Sequence, residues 1–144
     1  MLKGIPSILS PDLLKILMEM GHGDEIVLAD GNFPAASHAL RLIRCDGHAI
    51  PELLDAILKF FPLDTYAEHS VALMEVVPGD PAVPVIWDEY KKLVDKHDPH
   101  ARELKQVERF AFYDRSKQAY AVIATGEKAL YANIILKKGV VVES

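Results

Sequence analysis

A short apolar run, with a histidine turn before it and an aspartate after it, constrains this chain most. In Gly21-His22-Gly23 the glycines permit sharp turns because glycine adopts positive φ without a steric penalty, and Gly21 is expected to end a helix in that conformation. The apolar residues 26–29 predict a strand buried on both faces, and Asp30 follows its carboxyl end, the edge at which open α/β sheets bind ligands. Such turns also occur in plain surface loops, so the residues alone leave a structural and a catalytic role equally open.

Helix and strand patterns alternate along the first part of the chain, and strands cluster towards its end. Helices are predicted to begin at Ser10-Pro11, Ile50 and Pro84, and further strands to span residues 40–44, 70–77, 107–113, 119–124 and 131–136. A chain of 144 residues is long enough to form one domain with its own hydrophobic core. The pattern predicts an α/β fold in which residues 1–144 form a single domain, with three layers, α/β/α, around a central mixed sheet of about six strands.

Charge and composition exclude several classes of function. The net charge is −5 and no basic block is present, which argues against a nucleic-acid partner. No apolar run is long enough to span a membrane, and the first residues lack the apolar centre of a signal peptide. The single cysteine, Cys45, excludes an internal disulfide and is expected to be a buried thiol. We therefore expect a cytoplasmic protein without a membrane partner.

A metal site is not expected. His22, Asp24 and Asp30 match no defensible ligand motif, and the strand between the two aspartates separates their positions by about 16–20 Å. His97 and His100 flank a polar turn in which no further residue completes a coordination set. The glycine fingerprint of a dinucleotide site and the P-loop are also missing.

The polar residues that remain fit proton transfer and the binding of a polyhydroxylated ligand. Histidine titrates near neutral pH, and carboxylate, amide and tyrosine groups orient hydroxyls. No nucleophile motif accompanies them. Arg109 is expected in the middle of the strand at 107–113, where a buried cation requires a partner. The candidates are His22, Asp30, Arg109, Tyr131 and Asn133, with Tyr113 and Tyr120 in supporting places.

Ordered motifs along nearly the whole chain resemble one known family. They are Ser10-Pro11-Asp12-Leu13-Leu14, residues 19–26, Asp30 with Phe33-Pro34, Asp46-Gly47, Leu63-Asp64-Thr65-Tyr66, Glu108-Arg109-Phe110, Thr125-Gly126-Glu127, Tyr131-Ala132-Asn133-Ile134 and Lys137-Lys138-Gly139-Val140. The sequence is similar to the D-ribose pyranase/L-fucose mutarotase family. Gly23 after His22 is typical of its fucose branch, since the ribose branch usually has threonine there. The family commonly has glycine where this chain has Ala132, which would matter only if that residue required positive φ.

The resemblance implies an isomerase that interconverts the anomers of a free sugar such as L-fucose. It implies that His22 is the proton donor and that Asp30, Arg109, Tyr131 and Asn133 bind the sugar. For His22 to act on this sugar, we expect its imidazole to lie near the Asp30 carboxylate and to be open to a cavity. It further implies a ring-shaped homo-oligomer in which a neighbouring subunit completes each site.

Ring opening requires no cofactor, metal or covalent intermediate. Water, Asp30 or a tyrosine hydroxyl could each serve as the opposing base. Two alternatives stay open: ribose or another aldose as the main substrate, and a sugar-binding module without catalysis.

Overall fold

The computed structural model describes residues 1–101 and 103–143. Its first helix, α1 (Pro11–Glu19), begins as predicted: the Ser10 hydroxyl accepts a hydrogen bond from the Leu13 N–H at 3.2 Å. The helix ends at Met20 with an extended backbone, and the left-handed residue of the turn is Gly23, with φ +87°. The prediction that Gly21 would adopt this conformation is wrong, because the Asp24 carboxylate accepts the Gly21 N–H at 2.8 Å and closes the turn without it.

Six strands form one sheet. They are β1 (Glu25–Ala29), β2 (Leu42–Cys45), β3 (Val71–Met74), β4 (Lys105–Val107), β5 (Ala121–Thr125) and β6 (Ile134–Lys137), in the order β2-β5-β1-β6-β3-β4. Strand β6 is antiparallel to β1 and β3, and the other pairs are parallel. The carboxyl ends of β1–β5 and the amino end of β6 therefore share one edge, here called the carboxyl edge; the opposite one is the amino edge.

Helices cover both faces of this sheet. On one face, α1 packs with α3 (Ile50–Leu58) and α4 (Ile86–His97) over a core that includes Ile26 and Leu28. On the other face, α2 (Ala35–His38) and α5 (Arg109–Gln118) cover the alternate side chains, Val27 and Ala29. The predicted three-layer α/β/α architecture with six strands is confirmed. Among the described residues, no helix has the length and apolar character needed to cross a membrane.

The prediction of a strand over residues 107–113 is wrong. Strand β4 ends at Val107, and the Glu108 carboxylate accepts the Ala111 N–H at 2.9 Å, which starts α5. Phe112 and Ser116, four residues apart, are fully buried, which is a helical repeat. Arg109 is consequently the first residue of a helix at the carboxyl edge, and it is partly exposed rather than buried in a strand.

Candidate active site

The candidate residues lie at two separate edges of the sheet. His22 precedes β1 and Asp30 follows it, so the strand alone holds them about 16 Å apart at 3.3 Å per residue. The expectation that imidazole and carboxylate converge within one chain is therefore not met. We call the residues around His22 the amino-edge cluster: His22, Asp64 and Tyr66. The carboxyl-edge cluster contains Asp30, Asp80, Arg109, Tyr131 and Asn133.

In the amino-edge cluster, a buried carboxylate holds an exposed imidazole. His22 Nε2 lies 3.0 Å from Asp64 Oδ1, and the side chain of His22 is 45% exposed whereas that of Asp64 is 5% exposed. The His22 ring also packs against the Tyr66 ring, with centroids 5.3 Å apart. Since Asp64 engages Nε2, the other ring nitrogen, Nδ1, is the one available to a ligand.

The backbone around this pair is fixed to β6. The Gly23 N–H donates to the Lys138 carbonyl at 2.8 Å, and the Asp64 N–H donates to the Lys137 carbonyl at 3.0 Å. Two loops that are distant in sequence are thus anchored side by side at the end of one strand. The positive φ of Gly23 makes the tight approach of the first loop possible.

Three hydrogen bonds favour the ionised form of the Asp64 carboxylate. Its burial opposes ionisation, but the Tyr66 N–H, the His22 imidazole and the Ala67 N–H all donate to the carboxylate and together hold its pKa below the ordinary value. The Asp64 carboxylate accepts from His22 Nε2 and so fixes the orientation of the imidazole. Sequence reasoning did not place Asp64 in the site, although it belongs to one of the family-like motifs, because its partner lies 42 residues earlier.

At the carboxyl edge, Asp30 and Asn133 are both buried and are joined by a hydrogen bond. The Asp30 N–H donates to Asn133 Oδ1 at 2.7 Å, and the Asn32 N–H donates to Asp30 Oδ1 at 2.9 Å. Burial raises the pKa of Asp30, although backbone N–H groups, including that of Asn32, oppose the shift. A cavity of about 320 Å³ adjoins this carboxylate, with Ser37 and Arg44 among its other lining residues.

Tyr131 is the one non-glycine residue with positive φ among the residues that the structure describes, at +57°. The Trp87 indole N–H donates to its carbonyl at 2.7 Å, and the Tyr90 hydroxyl donates to the carbonyl of Ala132 at 2.7 Å. These two bonds hold the segment in place. Ala132 is fully buried and its φ is not positive, so its replacement of the family's glycine introduces no strain.

The Tyr131 hydroxyl is paired with Asp80. It donates to Asp80 Oδ2 at 2.6 Å and accepts the Val77 N–H at 3.3 Å. The contact raises the pKa of the phenol and lowers the pKa of Asp80, because a shared proton favours the neutral phenol and the ionised carboxylate. Arg109 lines an adjoining groove of about 180 Å³ with Val77, and its guanidinium lies 4.4 Å from the centre of the Phe110 ring.

The two supporting tyrosines are on different edges. Tyr113 packs against Phe33 and His38, each with ring centroids 5.5 Å away, near the carboxyl edge. Tyr120 lies at the amino edge, where its hydroxyl donates to Glu19 at 2.8 Å. The described side chains contain no group of three or more His, Cys, Asp or Glu that could hold a metal ion.

The chain as a whole is similar to proteins of one known family. A model of the RbsD / FucU transport protein family matches residues 3–141. The fucose mutarotase of Danio rerio is 58% identical over 147 positions, covering 97% of this chain and 94% of that protein. The crystal structure of the fucose mutarotase from Streptococcus pneumoniae in complex with L-fucose is 58% identical, with a TM-score of 0.93 and coverage of 98% and 100%. Bacillus subtilis RbsD complexed with D-ribose is 26% identical, with a TM-score of 0.71 and coverage of 93% and 95%.

Proposed function

The chain belongs to the RbsD / FucU family, and from this membership we propose that it is an isomerase that interconverts the α and β anomers of L-fucose. The observation that carries the proposal is the identity of 58%, over almost the full length of both chains, to a mutarotase that was crystallised with L-fucose. The relative that binds D-ribose is much more distant, at 26% identity, which favours fucose over ribose.

The amino-edge cluster supplies the acid. We propose that protonated His22 donates a proton from Nδ1 to the ring oxygen of the sugar, while Asp64 holds Nε2 at 3.0 Å. As the bond between the anomeric carbon and the ring oxygen breaks, the anomeric hydroxyl loses a proton and becomes the aldehyde. Rotation of the aldehyde and closure in the reverse sense then give the other anomer.

The carboxyl-edge cluster supplies the sugar contacts. Asp30, Arg109, Tyr131 and Asn133 offer the sugar hydroxyls a carboxylate, a cation, a phenol and an amide. Among water, Asp30 and a tyrosine hydroxyl, we assign the base to Asp30, because its carboxylate borders the cavity of about 320 Å³ and burial, by raising its pKa, favours the uptake of a proton. Tyr113 extends the apolar wall of this edge beside Phe33. Tyr120 belongs to the other edge and has no direct part in this half of the site.

We propose that two copies of the chain complete each site. A sugar ring cannot contact His22 and Asp30 of one chain, because β1 lies between them. The amino-edge cluster of one copy must therefore meet the carboxyl-edge cluster of the next. Such a head-to-tail contact closes into a ring when its rotation permits. Exposed apolar side chains at the carboxyl edge, among them Val85, Phe110 and Leu130, fit burial in this contact.

The free, buried thiol of Cys45 supports a location in the cytoplasm, where thiols stay reduced.

Saturation-transfer NMR on L-fucose tests the proposal. The protein should accelerate exchange between the anomers, and the variant His22→Ala should lose roughly 10²–10⁴-fold of that acceleration. His100→Ala, which removes an exposed imidazole from a loop, is the matched control and should retain it. Ribose and other aldoses in the same assay measure the substrate preference. Saturable fucose binding without faster exchange would instead identify a binding module.

A further inference from the structure

One tight turn supplies both of the groups that contact the Tyr131 hydroxyl. In Val77-Pro78-Gly79-Asp80, the Asp80 N–H donates to the Val77 carbonyl at 3.0 Å, and Gly79 has φ +90°. A proline followed by a glycine with positive φ is typical of a type II turn. The turn presents the Val77 N–H and the Asp80 carboxylate to the same oxygen of Tyr131, so their relative positions are set by the backbone.

The hydrogen-bonding capacity of that oxygen can be counted. A phenol has one proton to donate and two lone pairs with which to accept. The proton goes to Asp80 Oδ2 at 2.6 Å, and one lone pair takes the Val77 N–H. One lone pair is left, and Tyr131 is only partly buried, so that a ligand can reach it.

We propose that Asp80 is a positioning residue that makes the Tyr131 hydroxyl an acceptor only, so that the sugar must present a free hydroxyl to it. This inference rests on the proposed function, since it assigns Tyr131 a contact with the sugar. It adds a rule of specificity: a substituent that accepts hydrogen bonds but cannot donate them is rejected at this position.

Support of the loop alone does not account for the arrangement. The loop requires only Asp80 Oδ1, which accepts the Ala82 N–H at 2.9 Å. Oδ2 is directed to Tyr131 instead. A partly exposed phenol could satisfy its proton with water, so a carboxylate placed against it by a turn has a consequence for what else the hydroxyl can bind.

The substitution Asp80→Asn should reverse the polarity of the contact. The amide oxygen keeps the bond to the Ala82 N–H, so the amide NH₂ takes the place of Oδ2. Tyr131 would then accept from this NH₂ and from Val77, and its proton would be released towards the ligand. Asp95→Asn, which removes the same charge from an exposed position on α4, is the matched control.

The test measures dissociation constants by ligand-observed NMR for L-fucose and for analogues in which a single hydroxyl is replaced by fluorine. For one of the analogues, the dissociation constant of the wild-type protein should be roughly 10-fold higher than for L-fucose, and this difference should disappear in Tyr131→Phe. Asp80→Asn should reduce the same difference in affinity, whereas Asp95→Asn should leave it unchanged. In the Tyr131→Phe background, Asp80→Asn should have no further effect on the ratio.

Two results would overturn the inference. One is that Tyr131→Phe changes no ratio between fucose and any fluorinated analogue. The other is that Asp80→Asn weakens all the sugars by one common factor, which is the result of a merely structural role. Failure of the proposed function is separate, because it appears as wild-type protein that binds these sugars without accelerating anomer exchange.

Discussion

Mixing two inactive variants should restore activity, because the two halves of the proposed site lie at opposite ends of β1. His22→Ala damages only the amino-edge cluster, and Asp30→Asn damages only the carboxyl-edge cluster. The separation of about 16 Å along the strand prevents one chain from supplying both groups to one sugar. In an assembly of both variants, some contacts between copies combine an intact half from each.

The size of the recovery follows from the geometry. An intact site requires the His22 end of the Asp30→Asn copy and the Asp30 end of the His22→Ala copy. In an equimolar random assembly each has a probability of one half, so about a quarter of the sites should regain wild-type activity. The two variants, with different affinity tags, are co-expressed, purified through both tags and assayed by saturation-transfer NMR.

A matched control uses two lesions in the same cluster. His22→Ala mixed with Asp64→Asn should give only the average of the two parents, because no copy contains the intact amino-edge pair. If His22→Ala and Asp30→Asn also gave only the average, although both tags were present in the purified assembly, the division of the site between copies would be refuted.

Three further predictions concern stability, measured by denaturant unfolding. Asp64→Asn should cost about 1–3 kcal/mol at neutral pH, because the buried carboxylate accepts several hydrogen bonds. Since folding lowers the pKa of Asp64, its contribution is present above the ordinary value of 3.8 and is lost as the pH falls through the lower, folded value, so the difference from wild type should close in acid and not in base. Tyr90→Phe should cost about 1–2 kcal/mol by leaving the buried carbonyl of Ala132 unpaired, with an unchanged unfolding free energy as the contrary result. Ala132→Gly should cost about 0.5–1 kcal/mol, whereas a gain in stability would mean that this residue, and not Tyr131, is left-handed.

The sheet could be predicted well where local signals and burial agree. The run at 26–29 is uniformly apolar and became the central strand β1, and Ser10-Pro11 began α1 as expected. Arg109 was misplaced because the alternating aromatics around it imitate a strand, and the carboxylate of Glu108 that starts the helix is an uncommon cap. The alternating pattern favoured a strand, but the hydrogen bond from the Ala111 N–H to the Glu108 carboxylate starts a helix instead.

The site was less predictable than the fold because its contacts connect distant parts of the chain. Asp64 and Asp80 were not singled out, since each reads locally as a turn residue and each acts on a partner about 40 to 50 positions away. Family resemblance supplied His22 and the proposed sugar-binding residues, but not the placement of His22 at one edge of the sheet and of the others at the opposite edge. This separation follows from the chain order, because His22 precedes β1 and Asp30 follows it.

Strand β6 has a consequence for the assembly as a whole. Its amino end continues from Asn133, and its carboxyl end, through Lys137, carries the loop of Asp64. In a ring of the proposed kind, these two ends serve different catalytic centres. One strand of four residues then joins the two parts of this chain that contribute to those two centres.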